Sequence, residues 1–375
     1  MSNPPSVSPV PPKFAILIPE ETVVRSQEYL EQLQTGRLQP GVRLRGELKG
    51  SLVHSMSPME LLGKLVDTKS PQIFAETAVS GDGSDWNLTE LGLLGDISIA
   101  IPVTVYDDGN HGSPGPHDPP FQGTLLFTPG ALLRNGQHCT PADWNEVTTS
   151  DRHFSTEGYY NLYRRRLLPV LRYINRHAGR PRSAIVTVPG LGCGQFAGPY
   201  RGQLGDRLRA VLQRLLTEHG ASLPNLKAVY FDPYSECQNA RVEIEGISFM
   251  VRPLRQPGNE RKSQLCRPTA YGEEGDDFSE CSLYSLVAWD HVSWPGNDFF
   301  AGSRSTDDGV KAAASDSMFT LTGIEGAYNA GEGMYQPPRP YRDWEAVVQE
   351  GKLRRNLHLW NPAAVWRSTS STPDF

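Results

Sequence analysis

The sequence predicts an α/β fold: a mixed, largely parallel sheet flanked by helices, with an N-terminal helical extension and long loop insertions. Three observations carry this. Ala184–Val188 (AIVTV) is a short buried strand that enters a glycine loop, then a helix with Leu204, Leu208, Val211, Leu212, Leu215 and Leu216 along one stripe, then a second strand, Leu226–Phe231. A strand–helix–strand of this length implies a parallel pair with a right-handed crossover. Ser282–Trp289 is another apolar run; it breaks at Pro295-Gly296-Asn297 and restarts as a helix near Ser305-Thr306-Asp307-Asp308. The chain has 375 residues, room for an ample core, and 36 Gly with 31 Pro, the composition of a turn-rich fold.

In chain order, residues 1–19 read as a disordered proline-rich tail, 20–84 as the helical extension, 85–350 as the α/β domain and 351–375 as a C-terminal tail. The spacing of Val24, Tyr29, Leu30 and Leu33 predicts an amphipathic helix from Glu20 to about Thr35. Ser57-Pro58-Met59-Glu60 is a capping box with proline at the first helical position. A turn-rich patch, Ser80–Asp85, closes the extension. Ile97–Tyr106 reads as a strand in which Pro102 marks an edge or a bulge. Asp107–Pro120 reads as one long loop, followed by a strand, Thr124–Phe127, and a turn at Pro129-Gly130. Tyr159–Asn175 is a helix that Pro169 should kink or end, with Arg164-Arg165-Arg166 on a solvated face. Ile244–Val251 adds one more strand, residues 252–280 are irregular, and Trp344–Lys352 is a last helix before a frayed end.

Composition removes several function classes. A net charge of −6 argues against a broad nucleic-acid-binding surface, though not against a small anionic ligand held by local amides. Five cysteines, an odd number without CxxC spacing, favour reduced thiols in a cytoplasmic setting over a disulfide framework or a zinc site. No stretch approaches the ~18 apolar residues of a membrane span, and no signal peptide opens the chain. His111 and His117 lack a third ligand nearby, so solvation is the simpler reading of both.

Two loops carry the chemistry. Gly190-x-Gly192-x-Gly194, between a strand and a helix, is an arrangement that cradles phosphate with backbone N–H groups; a plain strand–helix corner is the alternative. It is not a P-loop, since no Gly-Lys-Ser/Thr follows, and its spacing fails the dinucleotide fingerprint. Downstream, Asp298, Asp307, Asp308 and Asp316 gather around Gly296-Asn297. Helix capping explains part of that cluster. A cleft with diphosphate amides on one side and carboxylates on the other suits hydrolysis of a glycosidic bond, whose oxocarbenium-like transition state gains from nearby negative charge.

The segments GLGCGQFAG, WPGNDFF and STDDGVKAAASD resemble the diphosphate and distal-ribose loops of macrodomains, and the pattern from Leu91 to Trp344 is most similar to the MavL-type family of macrodomain hydrolases. Here the ribose element follows the diphosphate loop, as though the order were permuted, and the Asn-Ala-Ala-Asn motif of ordinary macrodomains is missing. The resemblance implies a macrodomain-like fold and a metal-independent hydrolase, without cofactor, that removes ADP-ribose from arginine on proteins, ubiquitin included. It places Gly190, Gly192, Cys193, Gly194, Gln195 and Phe196 around the diphosphate, Gly296, Asn297 and Asp298 beside the distal ribose, and Asp232 at the adenosine half. Asp307 and Asp308 would face the anomeric carbon and the guanidinium, one activating water and the other binding arginine, while Asp316, two turns along the same helix, would orient its neighbours or complete the acidic pocket. The rival readings are an ADP-ribose reader without catalysis, a Mg²⁺-dependent phosphoesterase using the aspartates, and a structural α/β domain.

Overall fold

The computed structural model describes residues 14–71, 84–134, 139–178, 183–351, 353 and 362–367. The tail at 1–13, most of the turn-rich patch at 80–85 and most of the C-terminal tail lie outside these residues. The strands are β1 (Ala15–Leu17), β2 (Ser98–Asp107), β3 (Pro116–Pro129), β4 (Ser183–Pro189), β5 (Leu226–Asp232), β6 (Ala240–Ile244), β7 (Ile247–Val251), β8 (Cys281–Trp289), β9 (Ala327–Asn329), β10 (Met334–Gln336) and β11 (Val365–Trp366). Nine of them form one sheet in the order β11-β1-β2-β3-β8-β4-β5-β7-β6, while β9 and β10 pair with each other. Strands β3, β8, β4, β5 and β7 run parallel; β2 on one flank and β6 on the other are antiparallel to their neighbours.

Alternation along the strands divides the core between two faces. Ile101, Phe127, Ile185, Tyr230, Leu283 and Val287 point to the face covered by the helices Glu20–Gln34, Pro58–Asp67, Leu88–Gly95 and Asp307–Ala313. Leu126, Val186, Phe231 and Leu286 point to the opposite face, under the helices Thr156–His177 and Leu204–His219. Each fully buried Leu or Ile on these faces stabilises the fold by roughly 1.5–3 kcal/mol. The apolar stripe of Leu204–His219 therefore dictates which way that helix faces. Two capping boxes start helices on the first face: Ser57 with Glu60, as the sequence predicts, and Asn87 with Glu90.

Several local expectations are corrected. The long loop shrinks to residues 108–115, because β3 begins at Pro116; Pro119 and Pro120 are exposed on its outer part, where a missing amide is tolerated. Pro102 lies inside the sheet, but β1 covers β2 only from Ser98 to Ala100, so the proline stands just beyond that pairing. The expected strand Ile244–Val251 is the hairpin β6–β7, turned at Glu245 and Gly246, both with positive φ. The helix Thr156–His177 continues through Pro169, because burial of Leu162, Tyr163, Val170 and Ile174 outweighs one lost hydrogen bond. Two of the three arginines are not solvated. Arg165 and Arg166 are buried, both paired with Asp96, and Arg166 also reaches Asp143 at 2.7 Å. The first aspartate helix ends at Ala313, so Asp316 heads a separate helix, Ser317–Thr322.

Candidate active site

The chain leaves the C-terminal ends of β4 and β8 toward opposite faces of the sheet, β4 into the Leu204–His219 layer and β8 into the Asp307–Ala313 layer. Such a switch point opens a crevice between neighbouring strands. The ladder here stops early: the last β4–β8 pair is Thr187 with Ser285, although β4 runs on to Pro189 and β8 to Trp289. Beyond that pair, Leu286 O accepts from Lys311 Nζ, and Ala288 N donates to Asp307 Oδ2 at 2.7 Å. Side chains of one helix thus complete the backbone hydrogen bonding that the parting strands cannot, as buried amides and carbonyls require.

The glycine loop forms the β4 lip. Gly192 has φ +71°, and a Cβ there would come within 2.8 Å of Ala131 N and O, so only glycine lets this loop lie on the residues after β3. Tyr163 Oη pins the two together, accepting from Ala131 N at 3.0 Å and donating to Leu191 O at 2.6 Å. Gly194 and Gln195 are exposed, and space beside Gly194 is open for more than 4 Å. The amides of Gly194, Gln195 and Phe196 have no partner among the described residues. The loop does not run straight into an α-helix, however. A 3-10 turn, Gln195–Tyr200, intervenes before Leu204, so loop amides rather than a helix N-terminus supply the positive potential. Cys193 is buried, and burial pushes its thiol well above the usual range, the state of an unreactive cysteine.

On the β8 lip the aspartates occupy different surroundings. Asp307 keeps its side chain a quarter exposed and pairs with the buried Lys311 at 3.1 Å. Asp308 is buried, with Oδ1 accepting from Gly296 N at 2.7 Å and Oδ2 from Asn297 N at 2.9 Å and Asn297 Nδ2 at 2.6 Å. Burial, then the carboxylates of Asp298 and Asp290, push its carboxyl well above the usual range. Asp298 accepts from Thr306 Oγ1, the N-cap of the Asp307–Ala313 helix. Asp316 shares no hydrogen bond with these three; its Oδ1 accepts from Thr104 N of β2 at 2.8 Å, and burial raises its carboxyl. Asp232, at the end of β5, accepts from Tyr234 N and Leu254 N, both at 2.8 Å, and is raised by burial.

Four neighbours of this site, Lys311 among them, carry no sequence signal. Asp290 closes β8 and holds Val292 N, Ser293 N and Asn297 Nδ2. Gln264, from the irregular stretch, receives Lys311 Nζ at 2.8 Å. Arg304 clamps the far side of the aspartate loop with a bidentate pair to buried Asp107, at 2.6 and 3.0 Å. A lysine in an alanine-rich helix, a glutamine in a loop and an arginine among serines give no sign in the sequence of the burial that the fold imposes on them. Among the described residues, no group of three His, Cys, Asp or Glu is arranged to hold a metal ion, and no helix is long and apolar enough to cross a membrane. His117 instead contacts Leu265 O at 2.9 Å.

A comparison with curated proteins returns no match. A comparison with protein families finds one whose description is macrodomain effector MavL, matching residues 14–341. That span runs from β1 through both lips of the crevice to the β9–β10 hairpin and beyond. The chain belongs to the MavL macrodomain effector family.

Proposed function

We propose that this protein is a hydrolase that releases ADP-ribose from modified arginine side chains of proteins, with ubiquitin among its candidate substrates. One observation supports this above the others: the crevice between β4 and β8 has amides without a partner among the described residues on one lip and a quarter-exposed, oriented carboxylate, Asp307, on the other. The diphosphate lies along Gly190, Gly192, Cys193, Gly194, Gln195 and Phe196, where each amide–phosphate bond is charge-assisted. The distal ribose reaches Gly296, Asn297 and Asp298, and the adenosine half extends toward Asp232.

Asp307 takes a proton from water as the water oxygen closes on the anomeric carbon. The C–N bond breaks with its electron pair passing to the guanidino nitrogen, and the proton passes from Asp307 to the departing guanidine, which leaves as guanidinium. Positive charge developing on the ribose ring is stabilised by Asp307 and Asp298. Asp308 acts by holding Gly296 and Asn297 in place, and Asp316 adds a carboxyl on the β2 side of the acidic pocket. None of these steps needs a metal.

The test is a demodification assay on arginine-, serine- and glutamate-linked ADP-ribosyl proteins, with and without EDTA. Release from arginine alone, unchanged by chelator, is the expected result. Tight ADP-ribose binding in calorimetry without release from any linkage would make the protein a reader. EDTA-sensitive release would sink the metal-free mechanism.

A further inference from the structure

Lys311 has the surroundings of a working part rather than a surface lysine. Its side chain is 2 % exposed, and its three ammonium protons meet three acceptors: Gln264 Oε1 at 2.8 Å, Leu286 O, and the Asp307 carboxylate, whose two oxygens lie 3.1 and 3.2 Å away. No donor is left over. A buried ammonium is costly unless fully paired, so Lys311 and Asp307 each depend on the other. Asp307 Oδ2 also receives Ala288 N at 2.7 Å. The carboxylate is thus held by a strand amide and by an ammonium one helical turn further along. Gln264 fastens that ammonium from the other side, and its own carbonyl is held by Thr187 Oγ1 at 3.0 Å, at the point where β4 and β8 part.

From this geometry we infer that Lys311 is a positioning residue for the hydrolysis: it sets the angle at which the Asp307 carboxylate meets water. The inference rests on the reaction proposed above. Lys311 lies behind Asp307 and makes no contact with substrate. A small displacement of a reacting group lowers rate far more than it lowers binding, so the effect of Lys311 falls on kcat.

The experiment is a double-mutant cycle with Lys311→Met, Asp307→Asn and the pair, on arginine-linked ADP-ribosyl protein. Methionine fills the lysine's space without donating. Lys311→Met is expected to lower kcat roughly 10- to 100-fold, with KM and the ADP-ribose Kd within about twofold of the parent. The double variant should be no slower than Asp307→Asn, because Lys311 acts only through Asp307. Additive losses, or a Kd that weakens in step with kcat, would show a general structural role and overturn the inference. Should Lys311→Met fail to fold, as judged by circular dichroism and Tm, Gln264→Leu replaces it. Its smaller loss of kcat must likewise vanish in the Asp307→Asn background. Absence of release by the parent protein would defeat the hydrolase reading and this inference together; release with an additive cycle would defeat only the latter.

Discussion

Asp308 and Asn297 are joined twice, the carboxylate accepting both the backbone amide, at 2.9 Å, and the side-chain amide, at 2.6 Å. Neighbouring Asp307 makes no bond to Asn297; it accepts from Ala288 N and Lys311 at the edge of the crevice, so two adjacent acids have separable duties. Asp308→Ala strands the amides of Gly296 and Asn297 and should cost about 2–4 kcal/mol in urea unfolding, with faster hydrogen exchange across residues 296–300. Asp307→Ala strands Ala288 N and takes the charge partner from buried Lys311, so it too should cost about 2–4 kcal/mol, but it should leave exchange across residues 296–300 unchanged and abolish release while ADP-ribose still binds. Faster exchange across residues 296–300 in both variants would refute the division.

Gly194 sits where a side chain would enter the crevice rather than the core. Gly194→Val should leave Tm nearly unchanged and weaken ADP-ribose binding by about tenfold or more, the equivalent of losing one charge-assisted hydrogen bond. Unchanged affinity in calorimetry would remove the diphosphate from this loop.

Asp96 accepts from Arg165, Arg166 and Arg25, and those guanidiniums hold its buried carboxyl below the usual range despite the opposing effect of burial. Asp143, paired with Arg166 and His291, is depressed likewise. With folded values lower than unfolded ones, their contribution is present above about pH 4 and is lost as pH falls through the folded values. Asp96→Asn should therefore cost roughly 3–5 kcal/mol at neutral pH and flatten the acid limb of stability. A variant as acid-sensitive as the parent would show that other carboxylates govern that limb.

Lys69 is buried over the Trp289 ring and donates to His291 O at 2.6 Å; burial lowers its ammonium to about 7. The unfolded chain, with a lysine near 10.4, holds the extra proton between those values, so this group makes stability rise with pH across that interval. Lys69→Met should reduce the rise between pH 7 and 9 in chemical denaturation. An unchanged slope would rule Lys69 out as its source.

The parallel core was legible because the stripe from Leu204 to Leu216 and the flanking strands admit one arrangement, and the two loops were legible because glycines and acids stand out from their surroundings. The individual roles were not. Asp307 and Asp308 are equivalent in a first helical turn, where both suit the dipole; only the approach of residues 296 and 297 distinguishes them. Arg165, Arg166 and Lys311 carry the charge of surface residues, and their burial depends on Asp96, Asp143 and Asp307 arriving from distant segments. Asp316 was assigned to the preceding helix because its end at Ala313, within an alanine run, has no glycine or proline to announce it.

The central position of β8 has a consequence for synthesis on the ribosome. It lies between β3 and β4 yet is made after both, with β5, β6 and β7 already complete. Until residue 289 emerges, β3 and β4 each present an open apolar edge, the kind of surface that invites wrong partners. The sheet therefore closes from its middle, late, and across a long sequence separation, which makes for slow folding. The strand that ends at the crevice is also the one that joins the two halves of the sheet, with only the edge strand β11 still to come, so the two lips of the crevice are brought together only once this central rung is in place.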